Sequence, residues 1–284
     1  MEARGSGAEV QADAPSEVKD GERPRRTPSW LLALGRREPP ETIELESGTY
    51  RLAKVFKHDF FAFTARYDRT SPDQAFDVVL KVGRMAWFFV VPLGWIGRLH
   101  AWHESRVFRQ LDDLAIVPAF TGRWGKHGLT HAFVEGRELA RDVELPDAFF
   151  ATLRTGLDEV HGRKMAYVDL EKLENVLVGD DGAPYLFDFQ IAWYWPRAAG
   201  GDLPPFTWIR RLAQRSDRYH LLKLQRRVRP DQLTPEELAA SRRRPGIVSL
   251  HNKLARPFTL LRRRFLRRID PGPERPGERG RIHP

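Results

Sequence analysis

The chain has 284 residues, no cysteine and a formal net charge of +9. The lack of cysteine excludes a disulfide framework and a thiolate metal site, and a composition of 41% apolar and 30% charged residues is that of a globular protein. From residue 241 onward there are 13 Arg or Lys and 3 acidic residues, so the excess positive charge belongs to the tail. This distribution argues against a nucleic-acid-binding core domain.

Two regions lack the features of a folded or membrane-spanning segment. Residues 1–40 are rich in Gly, Pro, Glu and Arg without apolar periodicity, so we expect a disordered N-terminal segment without a signal peptide. The longest uncharged run, residues 85–97, is too short to span a bilayer and contains Pro92. The sequence therefore predicts a cytoplasmic protein, either free or peripheral on the inner face of the membrane.

The first predicted elements are strands. Residues 50–56 and 61–67 are aromatic and β-rich, and Lys57-His58-Asp59-Phe60 between them forms the tip of a hairpin. Residues 76–82, FDVVLKV, give a strong strand pattern with Lys81 inside it. Taken alone, a lysine in an apolar strand is more often an edge residue whose amino group reaches water.

An apolar segment and a helix follow. Residues 85–97 are predicted to pack in the core; the alternative is an exposed patch that binds a membrane or a partner, because Trp favours the lipid interface. Residues 98–111 have helical periodicity that places four residues on one face: Ala101, Glu104, Phe108 and Leu111. A carboxylate on that face either lies at the exposed edge or requires a partner, for which Lys81 is the candidate.

Two more strands and a second helix occupy the middle of the chain. Residues 115–120 and 129–134 have the apolar composition of strands. Leu145-Pro146-Asp147 opens a helix, since Pro is favoured in the first turn. This helix ends at His161-Gly162. It buries four residues on one face: Phe150, Leu153, Leu157 and Val160.

The polar residues with the clearest functional pattern lie within residues 161–192. Strands at 176–178 and 185–187 are joined by Gly179-Asp180-Asp181-Gly182, whose Asp-Gly pair favours a hairpin turn. The hairpin brings Asn175 and Asp188 to the same end, where a carboxylate and an amide oxygen fit Mg²⁺. Asp169, on the loop before the first strand, is then free to orient a hydroxyl nucleophile. Alternatively, Asp169 and Asp188 only cap turns.

This order of polar residues resembles the protein-kinase-like superfamily. Tyr167-Val168-Asp169-Leu170, then Asn175, then Asp188-Phe189-Gln190 match its H-R-D-L loop, its following Asn and its D-F-G. The resemblance covers about residues 45–225 and implies an α+β, bilobal protein-kinase-like fold. Residues 41–137 then form a first lobe with a five-stranded antiparallel sheet and one helix, and residues 138–240 form a mainly helical second lobe.

The resemblance also implies the roles of five residues in a kinase that uses ATP and Mg²⁺. Lys81 contacts the α- and β-phosphates and is held by an ion pair with Glu104. Asn175 and Asp188 bind Mg²⁺, and Asp169 accepts the hydrogen bond of the attacking hydroxyl. Such a site neutralises charge and positions the reactants, which is most of what phosphoryl transfer requires.

Nucleotide contacts are implied at two further places. Phe133, Val134 and Glu135 belong to the hinge, where backbone groups meet the adenine in this superfamily. The glycine-rich loop of the family is missing, and Lys57 and His58 supply side-chain phosphate donors in its place. The alternative, which the sequence favours equally, is that these two residues only form the polar tip of a hairpin.

Several features depart from protein kinases. Asn175 lies six residues after Asp169, one more than is common, and Glu171 stands where the family has a lysine that approaches the γ-phosphate. With the extra residue, Lys172 takes that role. Gln190 replaces the Gly of D-F-G, which should stiffen the turn, and no A-P-E motif follows.

The missing peptide-docking segment favours the lipopolysaccharide (Kdo) kinase branch, whose members phosphorylate sugars of a membrane-bound glycolipid. The expected acceptor is therefore a hydroxyl of a glycolipid, a sugar or another small molecule. One alternative is a Ser/Thr protein kinase with a reduced activation segment, which acts on protein hydroxyls. Another is a pseudokinase that binds nucleotide without transfer; the filled polar positions weigh against it and the absent glycine loop weighs for it.

The basic tail, residues 241–284, offers a membrane contact. Phe258, Leu261, Phe265 and Ile269 fall at helical spacing among five arginines. Such an amphipathic helix binds an anionic membrane surface. The alternative, a helix packed on the second lobe with a solvated basic face, remains open.

Overall fold

An antiparallel sheet of six strands forms the first half of the protein in the computed structural model, which describes residues 28–87 and 92–243. The spatial order is β1-β2-β3-β4-β6-β5. The strands are β1 Thr42–Leu45, β2 Gly48–His58, β3 Ala62–Arg69, β4 Val78–Gly83, β5 Phe120–Trp124 and β6 Gly128–Ala132. Helix α1, Gly94–Leu111, packs against β4, β5 and β6.

Three helices and a small sheet form the second half. The helices are α2 Phe149–Gly162, α3 Pro204–Val228 and α4 Pro235–Arg242, and the antiparallel sheet contains β7 Gly136–Glu138, β8 Val176–Gly179 and β9 Pro184–Leu186. Short 3-10 turns lie at Ser29–Leu31, Leu173–Asn175, Arg197–Ala199 and Pro230–Gln232. Within residues 28–87 and 92–243, no helix is both long enough and apolar enough to cross a membrane. The predicted α+β class is confirmed.

Two clusters of buried apolar side chains stabilise these halves. The smaller cluster lies on one face of the first sheet, because alternate residues of a strand point to the same side; it includes Phe63, Ala65 and Tyr67 of β3. The larger cluster joins the helical half to the sheet, since Phe108 of α1 and Leu129 of β6 pack with Leu153 of α2 and Leu221 of α3. The two halves therefore share one hydrophobic core.

The first sheet has six strands, so the prediction of five is wrong. Strand β1 was missed because Ile43 is its only buried residue, which leaves no alternating pattern to detect. The strand predicted for residues 115–120 is also wrong, since β5 begins at Phe120. Pro118 has no N–H to contribute to a sheet, and the carbonyl of Ile116 instead accepts a hydrogen bond of 2.7 Å from the N–H of Leu186.

Residues 28–40 pack against the first sheet, which contradicts the predicted disorder of this part of the N-terminal segment. Leu31, Ala33 and Leu34 are buried. The buried guanidinium of Arg84 donates to the carbonyls of Trp30, Phe60 and Trp87 at 2.7, 2.8 and 3.1 Å, and so ties this segment to the β2–β3 hairpin. Residues 1–27 and the predicted tail helix lie outside the described residues.

The described parts of the predicted core segment, residues 85–87 and 92–97, lie largely at the surface. Met85 packs beside the smaller cluster, but Trp87 and Trp95 are 61% and 56% exposed; residues 88–91 lie outside the described residues. Helix α1 begins at Gly94, and a Cβ at Gly97 would overlap the backbone of Arg84. This close approach of two backbones fixes the start of α1 on the sheet, two turns before Glu104.

His131 on β6 links the sheet to the larger cluster and makes stability dependent on pH. Its ring stacks on Phe108 with 5.3 Å between centroids, and burial lowers its pKa to about 4. Between its ordinary pKa of 6.5 and about 4, the unfolded chain binds a proton that the folded chain does not. Stability should therefore decrease as the pH falls through this window, by up to ~3 kcal/mol.

We expect His131→Phe to remove this component, since Phe keeps the stacked ring and does not titrate. The measurement is urea unfolding of both proteins at pH values that span the window. Other histidines with lowered pKa are present in both proteins, so the difference between the two curves isolates His131. Two parallel curves would contradict the prediction.

Candidate active site

Lys81 on β4 connects α1 to the segment that follows β9. Its Nζ lies 2.8 Å from Oε1 of Glu104 and 2.8 Å from Oδ1 of Asp188. The Glu104 side chain is 3% exposed, and its Oε1 also accepts the N–H of Phe189 at 3.1 Å. The ion pair predicted from the apolar face of α1 is present, and the same lysine also holds Asp188.

For Lys81, Glu104 and Asp188, burial and the charge of an ion-pair partner shift each pKa in opposite directions. Burial lowers the pKa of Lys81, but Glu104 and Asp188 outweigh that effect and raise it above its usual range. Burial raises the pKa of Asp188, yet the charge of Lys81 prevails and lowers it, helped by Lys57. Burial raises the pKa of Glu104 against the opposing charge of Lys81. A permanent cation therefore faces an ionised Asp188 whose side chain is 38% exposed.

Asp169 and Asn175 form a second polar pair. The Asn175 Nδ2 donates to the backbone carbonyl and to Oδ2 of Asp169, both at 2.8 Å. Lys172 Nζ lies 3.0 Å from the same Oδ2, whereas Glu171 turns away to pair with Lys223 of α3 at 2.7 Å. The longer loop thus brings Lys172, and not Glu171, to Asp169.

Tyr167 joins the two polar groups. Its hydroxyl donates to the carbonyl of Phe187 and lies 3.3 Å from the carbonyl of Asn175. The residue before β8 and the residue after β9 therefore both contact the Tyr167 hydroxyl. Burial raises the pKa of Tyr167 well above its usual range, and nearby carboxylates raise it further: Asp188, Asp169, Asp217 and Glu104. The residues predicted for catalysis and metal binding therefore converge.

Asp217 of α3 holds the loop that carries Asp169, and the sequence interpretation missed it. Its carboxylate is fully buried; Oδ1 accepts the N–H of Val168 at 2.8 Å, and Oδ2 accepts the N–H of Tyr167 at 2.8 Å and lies 3.0 Å from His161 Nε2. Val168 has a φ of +73°, which is costly for a β-branched residue and persists only where its surroundings hold it. The available signal was an Asp on the apolar face of α3, in register with Leu221 and Leu224.

The β2–β3 hairpin tip uses its polar groups internally. His58 Nε2 accepts the N–H of Leu34 at 3.3 Å, and burial lowers the pKa of His58. His58 Nε2 is therefore engaged with the N-terminal segment, so only Nδ1 of the ring is left to act as the predicted phosphate donor. Lys57 pairs with Asp59 at 3.0 Å but stays 55% exposed, and its charge reaches Asp188.

The predicted hinge has free backbone groups at its centre. The N–H of Phe133 donates to the backbone carbonyl of Asp77 at 2.8 Å, and the Glu135 side chain pairs with Arg66 at 2.7 Å. Within the part of the chain that the structure describes, the N–H and C=O of Val134 have no hydrogen-bond partner. The ring of Phe133 stacks on Phe56 of β2 at 6.0 Å, which adds an apolar wall that sequence reasoning did not identify.

Gln190 ties the segment after Asp188 to α1. Its Nε2 lies 2.6 Å from Nδ1 of His100, and His103 Nε2 lies 2.9 Å from the carbonyl of Ala192. Burial, together with the charge of Lys81, lowers the pKa of His100, so a neutral ring accepts the amide hydrogen bond. The hydrogen bond from Gln190 to His100 is therefore a contact that can stiffen the turn after Asp188.

No family model matches the chain, and no curated protein matches it either. Within residues 28–87 and 92–243, no group of three His, Asp or Glu side chains forms a metal site by itself. The oxygens predicted to bind a metal belong to two side chains only, Asn175 and Asp188.

Proposed function

We propose that this protein is a kinase with a bilobal, protein-kinase-like arrangement. It would transfer the γ-phosphoryl group of ATP to a hydroxyl of a glycolipid, a sugar or another small molecule at the cytoplasmic face of the membrane. The observation that carries the proposal is Lys81 Nζ at 2.8 Å from both Glu104 and the partly exposed Asp188. A purely structural lysine needs only the buried Glu104, whereas one shared with an accessible carboxylate also faces a ligand.

The donor set fits Mg²⁺ together with a nucleotide. Mg²⁺ is commonly held by one or two protein ligands plus substrate phosphates and water. Asp188 supplies a carboxylate, and Asn175 supplies Oδ1, because its Nδ2 already donates to Asp169. When bound, the ion neutralises charge on the phosphates. Lys81 adds a permanent positive charge beside them, held in place by Glu104.

Asp169 is suited to orient the acceptor hydroxyl. Its Oδ2 receives hydrogen bonds from Asn175 and Lys172, which fixes the plane of the carboxylate. Its Oδ1 has no hydrogen-bond partner among the described side chains and is free to accept one from a hydroxyl. The anchoring of Val168 and Tyr167 by Asp217 keeps this carboxylate in place.

A second candidate is nucleotide binding without transfer, and one observation favours it. At the hairpin tip, Asp59 Oδ1 accepts the N–H groups of Phe61 and Ala62 at 2.8 and 3.0 Å. These backbone donors are consequently unavailable to phosphates, unlike those of a glycine-rich loop. The two candidates share the binding step and differ in the role of Asp169.

A thermal-shift experiment with ATP tests the binding step. We expect ATP with Mg²⁺ to raise the melting temperature by several degrees, because a ligand that binds only the folded state stabilises it. Asp188→Asn should abolish the part of the shift that depends on Mg²⁺. Asp180→Asn, the same change at an exposed turn of the β8–β9 hairpin, is the control. No shift with any nucleotide would contradict both candidates.

Transfer is tested with labelled ATP and the lipid, sugar and protein fractions of a host extract. We expect the label in the lipid or sugar fraction, and Asp169→Asn should reduce incorporation by about 10²- to 10⁴-fold while binding persists. Label in protein would indicate a protein kinase. ATP binding without transfer, unchanged by Asp169→Asn, would establish the second candidate.

A further inference from the structure

Helix α1 exposes one apolar face. Trp95, Leu99 and Trp102 follow one another at intervals of about one turn and are 56%, 50% and 45% exposed. The opposite face carries the buried residues Glu104, Val107 and Phe108 and packs on the sheet. Single exposed apolar residues are ordinary, but an aligned row that contains two tryptophans forms a contiguous apolar patch of the kind that marks interaction sites.

A second exposed segment adjoins this face. Ile191 and Trp195 are 56% and 41% exposed. The guanidinium of Arg106 lies 4.8 Å from the ring centre of Trp102 and 5.9 Å from that of Tyr194, which joins the segment to α1. The resulting aromatic surface consists of Trp95, Leu99, Trp102, Ile191 and Trp195.

The exposed charged side chains of the two segments that form the aromatic surface are arginines, whereas Asp112, Asp188 and Asp202 lie just beyond the ends of these segments. Arg98 and Arg109 are exposed on α1, and Arg106 lies between its two aromatic rings. Within the described residues, none of these arginines forms an ion pair with a carboxylate. The only acidic residue of α1 is the buried Glu104, and residues 189–201 contain none. Exposed carboxylates are thus absent from both segments that form the surface.

We infer that the aromatic surface docks on an anionic phospholipid bilayer. Trp is favoured at the lipid–water interface, and arginines without carboxylates are attracted to anionic headgroups. A protein interface commonly carries both hydrogen-bond donors and acceptors, whereas this surface offers cationic donors and apolar rings. That combination suits phosphate oxygens above hydrocarbon.

The inference stands independently of the proposed kinase activity. If both hold, docking brings lipid headgroups close to the candidate active site, because Ile191 lies three residues after Asp188. An acceptor on a glycolipid would then be met at the surface where the enzyme rests. The tail arginines are a separate contact, and the test must distinguish the two.

Because the full chain has no cysteine, a single cysteine can carry a polarity-sensitive fluorophore. Leu99→Cys places the label on the aromatic surface, and Thr49→Cys places it at an exposed position near the start of strand β2, which does not pack against α1. With vesicles of phosphatidylcholine and phosphatidylglycerol, we expect a blue shift and quenching by a bilayer-embedded quencher only for the label at position 99. Vesicles of phosphatidylcholine alone should give a much weaker response.

Substitutions in the full chain then measure each contribution. Trp95→Ser with Trp102→Ser should lower vesicle partitioning by about tenfold, because binding scales with the apolar area buried. Arg98→Gln with Arg109→Gln should lower it by about fivefold for each charge and weaken its salt dependence. Unchanged thermal unfolding of both variants would show that they remain folded.

Three outcomes would overturn the inference. Vesicle binding with a silent label at position 99 would assign the contact to the tail alone. A blue shift without vesicles that grows with protein concentration would make this face an interface between copies of the chain. Equal binding to neutral and anionic vesicles would remove the role of the arginines.

Discussion

Asp217→Ala is expected to destabilise the protein by ~3–5 kcal/mol and to abolish the proposed phosphate transfer. The substitution leaves the buried N–H groups of Tyr167 and Val168 without an acceptor, and each such loss carries a desolvation penalty. It also removes the contact to His161 and the support for the positive φ of Val168. Urea unfolding measures the first effect, and incorporation of labelled phosphate measures the second.

Two further variants separate the anchoring role of Asp217 from general damage. Asp217→Asn keeps the size and one acceptor oxygen but turns an N–H₂ toward the donors of the loop, so it should be intermediate in stability and low in transfer. Asp158→Ala removes an exposed carboxylate that pairs with Arg218 at 3.1 Å, and surface pairs of this kind contribute ~0.5 kcal/mol or less. Equal stability of Asp217→Ala and Asp158→Ala would contradict the prediction.

Lys81→Met should have the second large effect. It leaves Glu104 buried without its counter-charge, and breaking a buried ion pair in this way costs ~3–5 kcal/mol. It also removes the positive charge that, in the proposed function, lies beside the phosphates of ATP. Loss of one such stabilising group lowers the rate by about 10²- to 10³-fold.

The double variant Lys81→Met with Glu104→Gln distinguishes stability from function. The Glu104→Gln change removes the buried charge and keeps an oxygen for the N–H of Phe189, so the double variant should recover at least ~2 kcal/mol of the loss. Phosphate transfer should not recover, because no cation remains at position 81. Recovery of transfer would show that Lys81 serves only to balance Glu104.

The sequence alone determined the local parts of this site. The Asp-Gly turn and its flanking apolar runs define the β8–β9 hairpin, which brings Asn175 and Asp188 toward the same end. Helical periodicity placed Glu104 on the buried face of α1, and the cost of an unpaired buried charge indicated Lys81 as its partner. These inferences hold because each depends on spacing within one or two elements or on a single strong electrostatic requirement.

Only the tertiary structure decided the rest, because the contacts involved join distant parts of the chain. The apolar face of α3 marks Asp217 as buried, but no local pattern identifies the Val168 loop as its partner. The three carbonyls bound by Arg84 likewise cannot be identified from local sequence. The place of His58 could not be predicted, because the packing of residues 28–40, which supply its Leu34 partner, leaves no periodic signal. The sequence also did not determine which apolar residues of α1 stay exposed, because tryptophan is found in protein cores as well as on surfaces. Trp95 and Trp102 are exposed to solvent because the opposite face of α1 packs on the sheet.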